Sequence, residues 1–201
     1  RAAAVSDVPI INAGDGAGQH PTQSLLDLYT IIRELGHVRG LHVAAVGDLK
    51  NGRTVRSLAY LLGKYRGVRM TFVSPAELKI GDDIKEYLTR HNVAFIESQD
   101  LEAAMKEADV VYQTRVQKER FADPAEFQRL KNSFIITRKM ADSMKKGAII
   151  MHPLPRNEEI AREVDSSPHA LYFRQARYGL LVRMALLKMM LKGKMRFEGE
   201  N

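Results

Sequence analysis

A chain of 201 residues with 45% hydrophobic content is long enough to bury a core of its own and too apolar to be a disordered segment. It has no cysteine, which rules out disulfides and thiolate metal sites, and its most apolar stretch, residues 180–191, is short and broken by Arg183 and Lys188, so neither an oxidising compartment nor a membrane is expected and the cytoplasm is. The net charge of +7 is spread along the chain without a basic run interleaved with aromatics, which argues against nucleic acid and for a small anionic ligand.

Taken in chain order, the first informative stretch is Gly14-Asp15-Gly16-Ala17-Gly18-Gln19 leading into His20-Pro21-Thr22-Gln23. Proline is tolerated in a first helical turn, and Leu25, Leu28, Ile32 and Leu35 recur at helical spacing until Gly36 stops the run. His20 and Gln23 therefore share one face near the positive end of a helix dipole, where both could reach one small polar ligand. A capped helix with a surface histidine would produce the same local pattern. The glycine spacing is not G-x-G-x-x-G and follows no strong strand, so no dinucleotide cofactor is expected.

Short β-rich runs follow at residues 42–46, 69–73, 93–96, 109–112 and 148–151, alternating with helical patterns such as 54–64, 84–91 and 101–107. This alternation predicts an α/β fold: a doubly wound, mostly parallel sheet with helices on both faces, three-layered and Rossmann-like. In such sheets ligands bind outside the carboxyl ends of the strands. Three loops there carry unusual chemistry: one ends in Arg53, one contains Arg115 and Gln117, and one is His152-Pro153-Leu154-Pro155-Arg156. Singly, each has a bland reading, as a solvated arginine or a stiff turn. Together on one rim they point to a site.

Their chemistry is complementary. Two guanidinium forks suit a ligand with two carboxylates. Pro153-Leu154-Pro155 holds backbone carbonyls rigidly and, with Gln23, could accept hydrogen bonds from an NH2 group, while His20 donates to an adjoining carbonyl oxygen. Such a site fits transfer of an amide-bearing acyl group to an amino dicarboxylate.

These segments, with Gly47-Asp48-Leu49-Lys50, Gly52-Arg53-Thr54, Arg115-Val116-Gln117-Lys118-Glu119-Arg120, Tyr172-Phe173-Arg174-Gln175 and Arg183-Met184-Ala185-Leu186-Leu187, closely resemble the aspartate carbamoyltransferases, in the right order over nearly the whole chain. The sister ornithine enzymes usually have cysteine after the later histidine and a Ser-Met-Gly motif; this chain has Pro153 and neither feature. The resemblance implies that His20 polarises the carbonyl of carbamoyl phosphate, that Gln23 and the backbone at Leu154 and Pro155 hold its amino end, and that Arg53, Arg115 and Gln117 bind aspartate. It further implies N-carbamoyl-L-aspartate and phosphate as products, a step of pyrimidine synthesis, with no metal or organic cofactor. It implies a homotrimer of the complete enzyme and leaves regulatory subunits open.

One departure is prominent. The Ser-x-Arg-Thr-Arg phosphate segment of the family is absent from this sequence. Residues 1–177 are therefore expected to form the aspartate-binding domain, and residues 178–201 a terminal helix and tail whose apolar stripe (Leu180, Leu181, Met184, Leu187, Leu191) packs on a missing amino-terminal carbamoyl-phosphate domain. By itself the chain is expected to fold but not to turn over. A dicarboxylate-binding, catalytically incomplete fragment, or a transcarbamoylase for another amino acid, is the alternative.

Overall fold

The computed structural model describes residues 2–16, 18–118, 121–131 and 133–191. Glu119, Arg120 and the tail at 192–201 lie outside the described residues.

Five short strands, β1 (His42–Val46), β2 (Arg69–Val73), β3 (Ala94–Ser98), β4 (Val110–Gln113) and β5 (Ile149–Met151), form one sheet. Its order is β3-β2-β1-β4-β5 and every pairing is parallel. Side chains alternate across a strand, so each strand feeds two cores. Val43, Ala45, Met70, Phe72 and Tyr112 point to the face covered by α1 (Pro21–Leu35), α2 (Arg53–Leu62) and α3 (Asp82–Arg90). Ala44, Val46, Val73, Val111 and Ile150 point to the other face, where α4 (Leu101–Glu107) contributes Leu101 and Met105 and α6 (Arg138–Asp142) contributes Ala141. The doubly wound, three-layer α/β arrangement expected from the alternation is the one observed. A short α5 (Pro124–Leu130) precedes α6, and α7 (Tyr172–Leu191) closes the described chain. No helix among the described residues is long and apolar enough to cross a membrane.

Differences from the expected boundaries have local causes. Val93 does not begin β3, because its N–H closes the end of α3 on Leu88 O at 3.0 Å. The same strand continues past Ile96 because an edge strand tolerates polar residues, and Glu97 and Ser98 still pair with Phe72 and Val73. In α1 the buried residues are Leu26, Leu28 and Ile31, whereas Leu25 and Ile32 are 38% and 41% exposed. α1 lies between the sheet and α7, so its apolar residues divide between two faces. Leu25 and Ile32 line a groove with Leu181, Ala185 and Met189 of α7. The two helices are joined by the Arg174–Glu34 ion pair at 2.7 Å and by Tyr178 OH donating to Glu34 Oε1 at 2.7 Å. Farther along α7, Leu180, Leu181, Met184, Leu187 and Leu191 are exposed.

The carboxyl ends of β1 and β4 meet at Gly47. Its φ of +110° is one that an L side chain avoids, and a Cβ there would sit 2.3 Å from Thr114 O. The contact is tight because the Thr114 N–H and hydroxyl both donate to Val46 O, at 2.8 and 3.0 Å. Gly47→Ala is therefore expected to destabilise the fold by at least about 2 kcal/mol, combining backbone strain with overpacking. Urea unfolding that moved by under about 0.5 kcal/mol would show that the β1–β4 junction yields freely.

Candidate functional site

Because all five strands are parallel, their carboxyl ends share one edge, and the strand order reverses between β1 and β4. A crevice opens at such a switch point. Here it is a cleft of about 220 Å³ lined by His20 and Gln23 of the α1 start, Arg53 and Thr54 of the α2 start, Thr114, Arg115 and Gln117 after β4, and His152 to Pro155 after β5. Every site residue expected from the sequence lines this one cleft: His20, Gln23, Arg53, Arg115, Gln117, Leu154 and Pro155.

Two helices start at the cleft, and both ends are electrostatically open. α1 and α2 have no side-chain cap and no acidic residue in the first turn. Helices starting elsewhere are compensated, by Asp82 and Asp83 in α3, Asp100 and Glu102 in α4, Asp123 and Glu126 in α5, and the Thr137 cap of α6. Arg53 even adds a cation where the dipole is already positive. Its Nη1 donates to Gly16 O at 3.2 Å, and Gly14 packs directly under the guanidinium. Uncompensated positive ends beside two arginines suit an anion.

The loops behind these residues are tied together. Asp48, fully buried, accepts from the N–H and Nδ2 of Asn51 at 3.0 and 3.1 Å and so shapes the turn before Arg53. Gln117 Nε2 donates to Asn51 O at 3.1 Å, coupling the β4 loop to the β1 loop. His20 donates its N–H to Ser57 Oγ at 2.8 Å, and its Nδ1 is buried with no partner. Burial, then the charges of Arg53 and Arg183, hold its imidazole below the usual 6.5, so it is neutral at pH 7.

The opposite wall has the opposite polarity. Pro153 and Pro155 have no N–H, and the Leu154 N–H donates to His152 Nδ1 at 2.9 Å. The polar groups this loop leaves for a ligand are therefore carbonyl oxygens. Leu154 has a φ of +50°, an uncommon conformation for a branched residue and of the kind found where a site over-determines the backbone. His152 Nε2 donates to Glu159 Oε1 at 2.8 Å, both side chains being buried. Arg156 turns away instead, pairing with Asp165 at 2.5 Å and stacking 5.3 Å over Tyr172. It anchors the far end of the loop.

The sequence reading missed the support under the cleft. Asp27 is fully buried, and its one local signal was a carboxylate inside an apolar helix run, four residues after Gln23. Thr54 and Thr114 also line the cleft, and each follows a strand end already singled out. Among the described residues, no group of His, Cys, Asp and Glu is arranged to hold a metal ion.

Residues 39–190 match the family model for the Asp/Orn binding domain of aspartate/ornithine carbamoyltransferase, and residues 1–33 match that for its carbamoyl-P binding domain. The chain is 56% identical to aspartate carbamoyltransferase 3, chloroplastic, of Pisum sativum, over 96% of its own length and 50% of that protein's. It is 53% identical to the aspartate carbamoyltransferase catalytic subunit of Methanocaldococcus jannaschii, over 93% of itself and 60% of that subunit. Its fold is similar to the crystal structure of aspartate transcarbamoylase from Trypanosoma cruzi in complex with carbamoyl phosphate and aspartate, with a TM-score of 0.87 at 43% identity, covering 92% of this chain and 61% of that one. The chain thus spans about half the length of the plant relatives it matches.

The His152–Glu159 pair has a consequence for stability. Burial pushes the Glu159 carboxyl up, but the hydrogen bonds from His152 and from the backbone N–H groups of Glu159 and Asn157 outweigh it and hold the group below its ordinary 4.5. A carboxyl depressed in the folded state contributes stability above its unfolded value and loses it as pH falls through the folded one. Glu159→Gln is expected to cost about 1–3 kcal/mol at pH 7, the worth of a buried charged hydrogen bond. The difference from the parent should shrink on acidification below 4.5. A difference that stays constant from pH 7 to pH 3 in urea unfolding would place the pair outside the stability of this loop.

Proposed function

The chain belongs to the aspartate/ornithine carbamoyltransferase family, and from that premise we propose that it supplies the amino-acid-binding half of an aspartate carbamoyltransferase. The complete enzyme would transfer the carbamoyl group of carbamoyl phosphate to the α-amine of L-aspartate, giving N-carbamoyl-L-aspartate and phosphate. The observation that carries this reading is the divided polarity of the cleft. Arg53, Arg115 and the open ends of α1 and α2 face a loop whose available polar groups are carbonyls.

In this reading the two guanidinium forks take the two carboxylates of aspartate. Gln117, its Nε2 already on Asn51 O, offers the other end of its amide to the amine. Gln23 and the carbonyls at Leu154 and Pro155 accept from the carbamoyl NH2. Attack forms the new C–N bond and puts negative charge on the carbamoyl oxygen, where neutral His20 donates a hydrogen bond. Collapse breaks the bond to phosphate, and the amine gives up its proton. Orientation and fixed hydrogen bonds supply the rate. An ornithine substrate would bring a cation toward Arg53 and Arg115, so two arginines favour the dicarboxylate.

Absence of the Ser-x-Arg-Thr-Arg segment favours a second statement about the chain taken alone: it is proposed to bind dicarboxylates and to need the rest of the enzyme for turnover. The cytoplasm remains the proposed compartment, the printed names of the plant relatives pointing to the chloroplast for those proteins.

Each charge-assisted fork contributes about 1.5–3 kcal/mol, so Arg53→Ala or Arg115→Ala in the complete enzyme should weaken succinate binding about tenfold or more. Lysine at either position should rescue poorly, since a point charge does not reproduce the fork. Unchanged succinate affinity in both alanine variants, measured calorimetrically, would remove them from the site. Loss of one oriented donor at a developing oxyanion costs about 2.7–4 kcal/mol, so His20→Ala should lower kcat by about two to three orders of magnitude with a smaller change in aspartate affinity. A rise in KM at constant kcat would make His20 a ground-state binding residue instead.

A further inference from the structure

Below the cleft, Asp27 accepts three hydrogen bonds from three different elements: Gln23 Nε2 of α1 at 2.9 Å, Tyr112 OH of β4 at 2.7 Å and Gln175 Nε2 of α7 at 2.6 Å. Gln175 Oε1 in turn accepts the N–H of His152 at 2.8 Å. One fully buried carboxylate thus connects Gln23 to the first residue of the carbonyl loop. Burying a carboxylate is costly even when it is hydrogen-bonded, and an apolar core would be at least as stable. Stability alone therefore does not account for it.

What Asp27 does supply is direction. A glutamine amide can present either its oxygen or its NH2, and the hydrogen-bond network decides which. With an acceptor-only group behind it, Gln23 turns its NH2 inward and leaves Oε1 for the cleft. Gln175 likewise turns its NH2 to Asp27 and its Oε1 to the His152 N–H. A flipped Gln23 would meet a ligand NH2 with its own. We infer that Asp27 is a positioning residue that fixes the amide polarity of Gln23 and, through Gln175, the seat of the carbonyl loop, so that both present acceptors to the carbamoyl amino group. The inference rests on the carbamoyl-phosphate reading above.

Protonation would give Asp27 a donor where three donors already converge. Burial pushes its carboxyl up to about 7, against the hydrogen bonds from Tyr112, Gln175 and Gln23 and the charge of Arg183 on α7. Those are the polar and charged groups that face it, with Thr54 of α2 reaching the same Tyr112 hydroxyl. Acidification below pH 7 should therefore weaken carbamoyl-phosphate recognition in the parent. Asparagine keeps the geometry, because one carbonyl oxygen can accept from both glutamines while its NH2 donates to Tyr112 OH, and it does not titrate.

The experiment is steady-state kinetics of the complete enzyme with Asp27→Ala and Asp27→Asn, from pH 6 to pH 8.5. The alanine variant is expected to raise KM for carbamoyl phosphate by about tenfold or more, the worth of roughly one lost hydrogen bond, with kcat and KM for aspartate within about threefold. The asparagine variant should restore most of that loss and flatten the rise of KM below pH 7. A folded alanine variant with unchanged KM for carbamoyl phosphate, or an asparagine variant that keeps the parent's pH dependence, overturns the inference. If the alanine variant does not fold, the pH profile of the asparagine variant decides. A complete parent enzyme that makes no carbamoyl aspartate overturns the functional reading itself, which a defect confined to Asp27 variants does not.

Discussion

The reversal of strand order between β1 and β4 is the constraint on which the rest of the molecule depends. Parallel strands send all their carboxyl ends to one edge, and right-handed crossovers place successive helices on one face until the chain turns back past β1. At that point neighbouring loops leave to opposite faces and a gap opens between them. Gly47 and Thr114 hold the gap's base closed. Arg53, Arg115 and the His152 loop then reach the same cleft although they are separated by up to a hundred residues of chain.

The cleft's electrostatics follow from what is left uncompensated. Capping residues and acidic first turns serve helices α3 to α6, whereas α1 and α2 reach the cleft with neither. Arg53 at the start of α2 is locally unfavourable until an anion arrives. The facing loop is built from residues with almost no N–H to offer, and its single N–H is consumed by His152. A donor wall opposite an acceptor wall selects a ligand with carboxylates at one end and an amino group at the other. A neutral imidazole between them can donate without adding charge.

Beneath these walls the protein accepts a buried carboxylate. Asp27 joins α1, β4 and α7, so the last helix of the described chain is connected to the first through the floor of the site. α7 is thus more than a cover for the sheet. Through Gln175 it sets the backbone of the β5 loop, while its distal residues Leu180, Met184 and Leu187 remain exposed.

Much of this was legible locally. Runs such as 42–46 and 69–73, buried on both faces, carry the continuous apolar signature of parallel strands, and α4 shows its Asp100 cap in the sequence itself. The cleft residues His20, Gln23, Arg53, Arg115, Gln117 and Leu154 were also legible, because each directly follows a strand or opens a helix and the α/β rule says where those positions lead. What only the tertiary structure decided are contacts whose partners are far apart in the chain. Strand order, the division of α1's apolar residues between the sheet and α7, and the meeting of Asp27 with Tyr112 and Gln175, 85 and 148 residues away, leave no periodic trace. Periodicity records which face of an element is dry, but not which element makes it so, and a lone buried carboxylate declares its purpose only once its three donors have been brought to it.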